Sequence, residues 1–336
     1  MRGRPAVTSA MPEALDEAIF AALPRSHDNA EIAQFYRLIR AYPARGGKRL
    51  RGQFLLRSVA AHGGDWREGV KVAAALELFQ NWVLIHDDIE DGSESRRGEP
   101  ALHHLAGMPV ALNVGDALHA YMWQLLYSTD HLPDASWRAV LAEFAWMIQR
   151  TAEGQHLDLS WVAQGRFDVS EDEYLAMVTL KTAYYTVVCP LRLGAYCAGE
   201  KAHGLLSQGG ADVGVAFQIR DDVLNLMPEV AYGKEFAGDL YEGKRTLILA
   251  HFFSQAQAAE RDEATAILTK ARCDKTEGEI GRLLFLIRRH GSLGYAQALA
   301  EARAARGLER LQEAFEPLPE ALALIGLLES LASRRH

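Results

Sequence analysis

Apolar residues recur at three- and four-residue spacing through almost every stretch longer than ten residues, and this regularity confines the chain to helices. Glu31 to Arg40, Val70 to His86, Ala135 to Arg150, Glu171 to Val188 and Arg245 to Phe253 all carry it. Alternating Val, Ile and Thr runs closed by Asn-Gly or Asp-Gly, the signature of hairpins, are missing. Alanine, the strongest helix former, is abundant. Breakers fall where helices would stop: Arg45-Gly46-Gly47, His62-Gly63-Gly64-Asp65, Leu132-Pro133-Asp134 and Gln208-Gly209-Gly210. No period of about 20–50 residues repeats, so a solenoid is not expected. The reading is all-α: one domain over 29–336, with ten or more helices enclosing a central cavity rather than forming a thin bundle. Residues 1–28, with Pro5, Pro12 and Pro24 and little periodicity, are expected to be loosely ordered.

Composition narrows the function classes. A net charge of −8 argues against nucleic acid as a partner, since a phosphate footprint needs concentrated Lys and Arg. Cys189, Cys197 and Cys273 are too few for a disulfide framework and form no CxxC pair, which fits a reduced, cytoplasmic protein. The first twenty residues contain no apolar stretch of secretory length. Ala321 to Leu328 stops at Glu329, well short of the ~20 residues of a membrane span, and reads as a buried C-terminal helix.

Two stretches carry chemistry. In LIHDDIEDGSESRRGEP, Asp87, Asp88 and Asp91 end an apolar helical run that starts near Val70. Asp87 and Asp91 stand four residues apart, on one face, where like charges repel and the helix dipole disfavours both. A cation relieves that strain, and oxygen-only ligands suit a hard ion such as Mg²⁺. In VGVAFQIRDDVLNL, Asp221 and Asp222 end a second apolar run, with Asn225 one turn on. Carboxylates from two such helices would form a cage for several Mg²⁺ ions, whose natural guest is a diphosphate.

Basic residues appear where a diphosphate would need them. Arg45-Gly46-Gly47-Lys48-Arg49-Leu50-Arg51 sets glycines before a helix start, with Lys48 and Arg51 expected on one face of it. Arg96-Arg97 follows the first acidic cluster, Lys181-Thr182 lies within an apolar helix, and Lys234 and Lys244 flank an acid- and glycine-rich segment.

The ordered set GGKRLR, LIHDDIEDGSESRRGEP, EGQHLDL, KTA, FQIRDDVLN and GKEFAGDLYEGKRT resembles the trans-isoprenyl diphosphate synthases, or polyprenyl synthetases, over roughly residues 45 to 250. The resemblance implies the isoprenoid synthase fold, a homodimer, and head-to-tail joining of isopentenyl diphosphate to an allylic prenyl diphosphate. It implies Asp87, Asp91 and Asp221 as ligands to three Mg²⁺ ions, with Asp88, Asp222 and Asn225 supporting them. Arg96, Lys181, Lys234 and Lys244 would grip the allylic diphosphate; Lys48, Arg51, Gln80 and Arg97 would hold isopentenyl diphosphate. The Lys181/Thr182 backbone carbonyl and the Gln218 side-chain oxygen would face the carbocation, and Gln155 and Asp158 would line the cavity behind them. Asn225 stands where the family commonly carries Asp, which keeps an oxygen and drops a charge. His86, beside Asp87, reads as a packed or supporting histidine.

Product length is a packing question. Trp82 and Val83 are the fifth and fourth residues before Asp87, and Trp82 lies roughly 7.5 Å below it along the helix axis. A bulky fifth residue tends to shorten the product in this family, so a short chain is expected: geranylgeranyl diphosphate, with farnesyl diphosphate as the alternative. Met122 and Trp123 would adjust the same floor. A class I terpene cyclase, a di-iron bundle built on Glu153-Gly154-Gln155-His156, and a non-catalytic synthase subunit are the competing readings. They falter, respectively, on the DDVLNLMPE segment, the lack of a partner ExxH step, and the retained carboxylates.

Overall fold

The computed structural model describes residues 7–227 and 236–333. Most of them are helical, in the order α1 (Val7–Ala22), α2 (Ala30–Ala44), α3 (Leu50–Ala61), α4 (Val70–Glu90), α5 (Leu102–Ala106), α6 (Met108–Tyr127), α7 (Asp134–Ala163) and α8 (Glu171–Val178). A π-helical segment, Thr179–Val188, follows. Then come α9 (Cys189–Cys197), α10 (Gly204–Asn225), α11 (Gly238–Glu242), α12 (Leu247–Gln255), α13 (Ala258–Leu268), α14 (Glu277–Arg289), α15 (Ser292–Ala314) and α16 (Pro319–Ala332). No helix among the described residues is long and apolar enough to cross a membrane.

Local chemistry sets several boundaries. The Asn29 side chain accepts from the backbone N–H groups of Glu31 and Ile32 to start α2. Reciprocal Ser170–Glu173 and Thr276–Glu279 pairs start α8 and α14. One small hairpin was not expected: β1 (Ser95–Arg96) pairs antiparallel with β2 (Glu99–Pro100). Its turn, Arg97-Gly98, has positive φ at both residues (56° and 78°), as a tight hairpin requires.

Contacts group the chain into two compact units. The first comprises Met1–Ala145, Cys189–Leu206 and Gln312–Gly326. At its centre α4 packs on α6, α3 and α1, burying Leu76, Phe79, Leu118, Phe54 and Leu56 completely. Each such side chain contributes about 1.5–3 kcal/mol. The segment expected to be loosely ordered instead forms α1 from Val7, and it buries Met11, Leu15 and Ile19. Those three residues recur every four positions, one helix face, and their burial outweighs the interruption that Pro12 makes inside the helix.

The second unit comprises Trp146–Val188, Ser207–Leu311 and Leu327–His336. Its core gathers Tyr174, Val178, Ile219, Leu247, Phe252, Leu283 and Ile287. Asp212 of α10 is buried beneath Arg303, Arg306 and Arg310, a row on α15 whose guanidinium groups reach it at 3.0, 2.6 and 2.6 Å.

Candidate active site

In the first unit, Asp87 and Asp88 occupy the last turn of α4, and Asp91 caps it, its N–H donating to the Asp87 carbonyl at 2.9 Å. Asp88 is buried and fully engaged. It accepts the Tyr42 hydroxyl at 2.8 Å and the Arg96 Nε at 2.7 Å, with a second Arg96 nitrogen closer still. Arg96 also reaches Asp87 at 3.4 Å. Burial works against the Arg96 charge, but Asp88 and Asp87 outweigh it and raise the pKa of its guanidinium. Burial, aided by Asp88, likewise keeps the Tyr42 hydroxyl protonated and therefore a donor. Asp87 and Asp91 are left half-buried at the helix end.

The basic loop lies beside this cluster. Arg49, in the left-handed region at φ 47°, turns away from the loop to Asp16 of α1 at 2.9 Å and to the Pro43 carbonyl at 2.7 Å. Arg97 bonds the Gly46 carbonyl and lies over Gly47, where a Cβ would meet its guanidinium at 3.3 Å. Burial lowers the Arg97 pKa, with Arg49 and Arg51 among the contributing charges. Lys48 is exposed and precedes the N-cap Arg49, so it does not share a helix face with Arg51 as expected; the glycine turn carries it ahead of the helix. Gln80 is buried on α4 with its Oε1 unpaired among the described residues. Trp82 and Val83 are half-buried on the same helix, and His86 lies 3.6 Å from Asp116.

In the second unit the Lys181-Thr182 pair lies in the π-helical segment, not in a regular α-helix, and such widened turns recur at functional sites. Two glycines permit close approach to it. A Cβ on Gly154 of α7 would meet the Lys181 backbone N at 2.2 Å, and one on Gly214 of α10 would meet the Ala183 Cα at 2.6 Å. The Lys181 ammonium reaches Asp158 of α7 at 2.5 Å. Gln155, beside Gly154, is half-buried.

A hydrogen-bond chain runs onward from Thr182. Its hydroxyl donates to Gln218 Oε1 at 3.0 Å, Gln218 Nε2 donates to Asp222 at 2.8 Å, and the buried Tyr174 hydroxyl donates to Asp222 at 2.7 Å. The carboxylate accepts, so the Gln218 amide is fixed with its oxygen toward Thr182. Burial, with Asp239 close by, raises the Asp222 carboxyl above its ordinary range, and burial does the same for the Tyr174 hydroxyl. Asp221, the other acid of the pair, is half-buried.

Asn225 holds the next segment. Its Oδ1 accepts the Asp239 N–H at 3.1 Å and its backbone carbonyl accepts the Ala237 N–H at 2.8 Å, which anchors the start of α11. Asp to Asn at this position preserves the acceptor that this bond needs. Lys244 follows α11 with its ammonium 3.0 Å from Glu242. Lys234 lies outside the described residues.

Sequence reasoning missed Tyr42, Tyr174 and Gly154. A tyrosine inside an apolar helix implies a buried hydroxyl in need of an acceptor, and that signal was available.

The donor sets suit Mg²⁺. Asp87, Asp91 and Asp221 offer carboxylate oxygens alone, the hard donors that Mg²⁺ takes, although among the described residues no group of three or more His, Cys, Asp or Glu side chains is placed to hold a metal ion by itself. Mg²⁺ matches such sites because it takes one or two carboxylates and completes its octahedron with substrate phosphate and water.

An all-α chain that ends two apolar helices in paired aspartates, with Arg96 on the first pair and Lys181 beside the Thr182 that is bonded through Gln218 to the second, has the equipment of a metal-assisted diphosphate enzyme. Comparison with known proteins agrees: the model of the polyprenyl synthetase family matches residues 32–283. A geranylgeranyl diphosphate synthase of Saccharolobus solfataricus is 35% identical over 272 residues, 80% of either chain. The crystal structure of geranylgeranyl pyrophosphate synthetase from Pyrococcus horikoshii Ot3 is similar with a TM-score of 0.85, at 30% identity over 96% of each chain. That of geranylgeranyl pyrophosphate synthase from Corynebacterium glutamicum, complexed with isoprenyl diphosphate and magnesium, reaches 0.88 at 26% identity, covering 97% of this chain and 99% of its own. The chain belongs to the polyprenyl synthetase family.

Proposed function

We propose that the protein joins isopentenyl diphosphate head-to-tail to an allylic diphosphate, and that its product is geranylgeranyl diphosphate. The observation that carries this reading is the matched construction of the two acidic helix ends. In each, the second aspartate is tied to a buried tyrosine hydroxyl, while the first stays half-buried at the helix end.

Asp87, Asp91 and Asp221 would hold three Mg²⁺ ions with the allylic diphosphate. When bound, the metal neutralises the charge that builds on departing diphosphate. Arg96, Lys181 and Lys244, with Lys234, add cationic donors on the same oxygens. Arg96 lies 3.4 Å from Asp87, so a phosphate held at that carboxylate would come within reach of its guanidinium while Asp88 keeps it in place. Lys48, Arg51, Arg97 and Gln80 hold isopentenyl diphosphate; the unpaired Gln80 oxygen and the Arg97 guanidinium lying over Gly47 support that assignment. Thr182 and Gln218 turn negative dipole ends toward the developing allylic cation, and the Thr182–Gln218–Asp222 bonds keep the amide oriented. The alkene attacks, and the departed diphosphate is the base that takes the released proton.

Trp82 and Val83 form the floor that limits product length. The exposed apolar residues Leu105, Met108, Val110 and Leu112 supply a surface for the homodimer, and the reduced cysteines fit a cytoplasmic setting.

The test is incubation with labelled isopentenyl diphosphate, Mg²⁺ and primers of ten, fifteen and twenty carbons. Twenty-carbon product from the shorter primers is expected. Hydrocarbon released from geranyl diphosphate alone would instead indicate a cyclase, and absence of product with every primer would indicate a non-catalytic subunit.

A further inference from the structure

Trp82 is held on three sides. Phe79 and His86 meet it edge-on, with ring centroids 5.7 and 5.9 Å away, while His119 of α6 lies flat against it at 4.0 Å and 17°. The Trp82 indole N–H is buried without a hydrogen-bond partner among the described residues, so packing alone sets its ring. His119 is anchored: its Nε2 accepts the indole N–H of Trp123, one turn along α6, at 2.9 Å. Room for the stack comes from Gly115, where a Cβ would meet His86 Nε2 at 2.4 Å and Trp82 Cδ1 at 3.3 Å.

We infer that His119 is a positioning residue for product length: pinned by Trp123, it holds the Trp82 ring across the path of the growing chain. The inference rests on the prenyltransferase reading with Trp82 as its floor. Only an unprotonated Nε2 accepts the Trp123 N–H, and burial, partly countered by Asp116, lowers the His119 pKa and keeps it so. Without His119 one face of the indole has no partner and the ring can leave its rotamer; the floor drops by at least one isoprene unit.

Product sizing of variants tests this. His119→Ala should shift the product upward by one or more five-carbon units. Trp123→Phe, which keeps a ring and removes the donor, should shift it the same way, and it guards against a misfolded His119→Ala. His119→Gln, whose amide oxygen accepts the same N–H, should restore the original length. A variant that is merely impaired makes less of the same product. In a Trp82→Ala background, His119→Ala should change nothing further. Unchanged length in active His119→Ala and Trp123→Phe overturns the inference, as does an equal additional shift in the Trp82→Ala background. A wild-type protein that adds no isoprene unit overturns the underlying prenyltransferase reading, a separate result.

Discussion

A Cβ placed on Gly154 would lie 2.2 Å from the Lys181 backbone N, 2.6 Å from its Cα and 2.8 Å from its Cβ. Ordinary contact begins at 3.4 Å, so Gly154→Ala must move α7 and the π-helical segment apart by about 1.2 Å. The obstructing atoms are mostly backbone, which has no alternative rotamer to adopt. Overpacking of this kind costs ~1–3 kcal/mol, so the protein remains folded. The consequence for chemistry is larger. The Lys181 ammonium reaches Asp158 at 2.5 Å, and an added displacement of this size takes the pair out of hydrogen-bond range. Misplacing a charged group by about 1 Å lowers turnover by ~100-fold. The assay is steady-state condensation of labelled isopentenyl diphosphate with farnesyl diphosphate, with urea unfolding run alongside. Gly281→Ala is the control: it lies in α14 with nothing within 4 Å of the added carbon, so turnover is unchanged. Stability there should rise by ~0.5–1 kcal/mol from the reduced entropy of the unfolded chain. Gly154→Ala with turnover within about twofold of wild type would refute the reasoning from close approach.

Two further perturbations separate chemistry from folding. Asp87→Ala should lower kcat by ~100-fold or more while circular dichroism stays that of a folded helical protein; near-normal turnover would count against the metal assignment. Lys275 donates to the carbonyls of Leu240 and Tyr241 at the end of α11, and burial, reinforced by Arg245 and Arg272, pushes its ammonium down to about 8. Its ordinary value is 10.5, so between the two the unfolded chain holds more protons and stability rises with pH; the contribution is lost as pH falls through about 8. Urea midpoints measured near pH 7 and near pH 9.5 should show wild type gaining stability relative to Lys275→Met, whereas parallel curves would contradict the shift.

The helical class was legible because apolar spacing is a local property, and α2, α4 and α12 fall close to where their periodicity puts them. The acidic helix ends were legible for the same reason: Asp87 and Asp221 close runs whose burial the pattern already announces. What stayed hidden depends on packing against distant segments. Nothing in Thr179–Val188 distinguishes a π-helix from an α-helix; the difference lies beside two glycines, Gly154 and Gly214, far away in sequence. The Tyr42–Asp88 and Tyr174–Asp222 bonds join residues 46 and 48 positions apart, beyond the reach of any local pattern. In α1, three prolines in the first 24 residues obscured a Met11, Leu15, Ile19 face that finds its partner only in the folded unit. Arg49 belongs to the basic loop in sequence, yet a left-handed backbone turns it to Asp16.

Asp87, Asp91 and Asp221 are proposed to hold magnesium for the allylic diphosphate. A crystal structure of the protein with Mg²⁺ and an unreactive allylic thiodiphosphate measures this directly. Metal ions coordinated by all three aspartates around one diphosphate, with Lys181 and Lys244 on its oxygens, are the expected result. A diphosphate held by one acidic cluster alone, or bound without any metal, would contradict it.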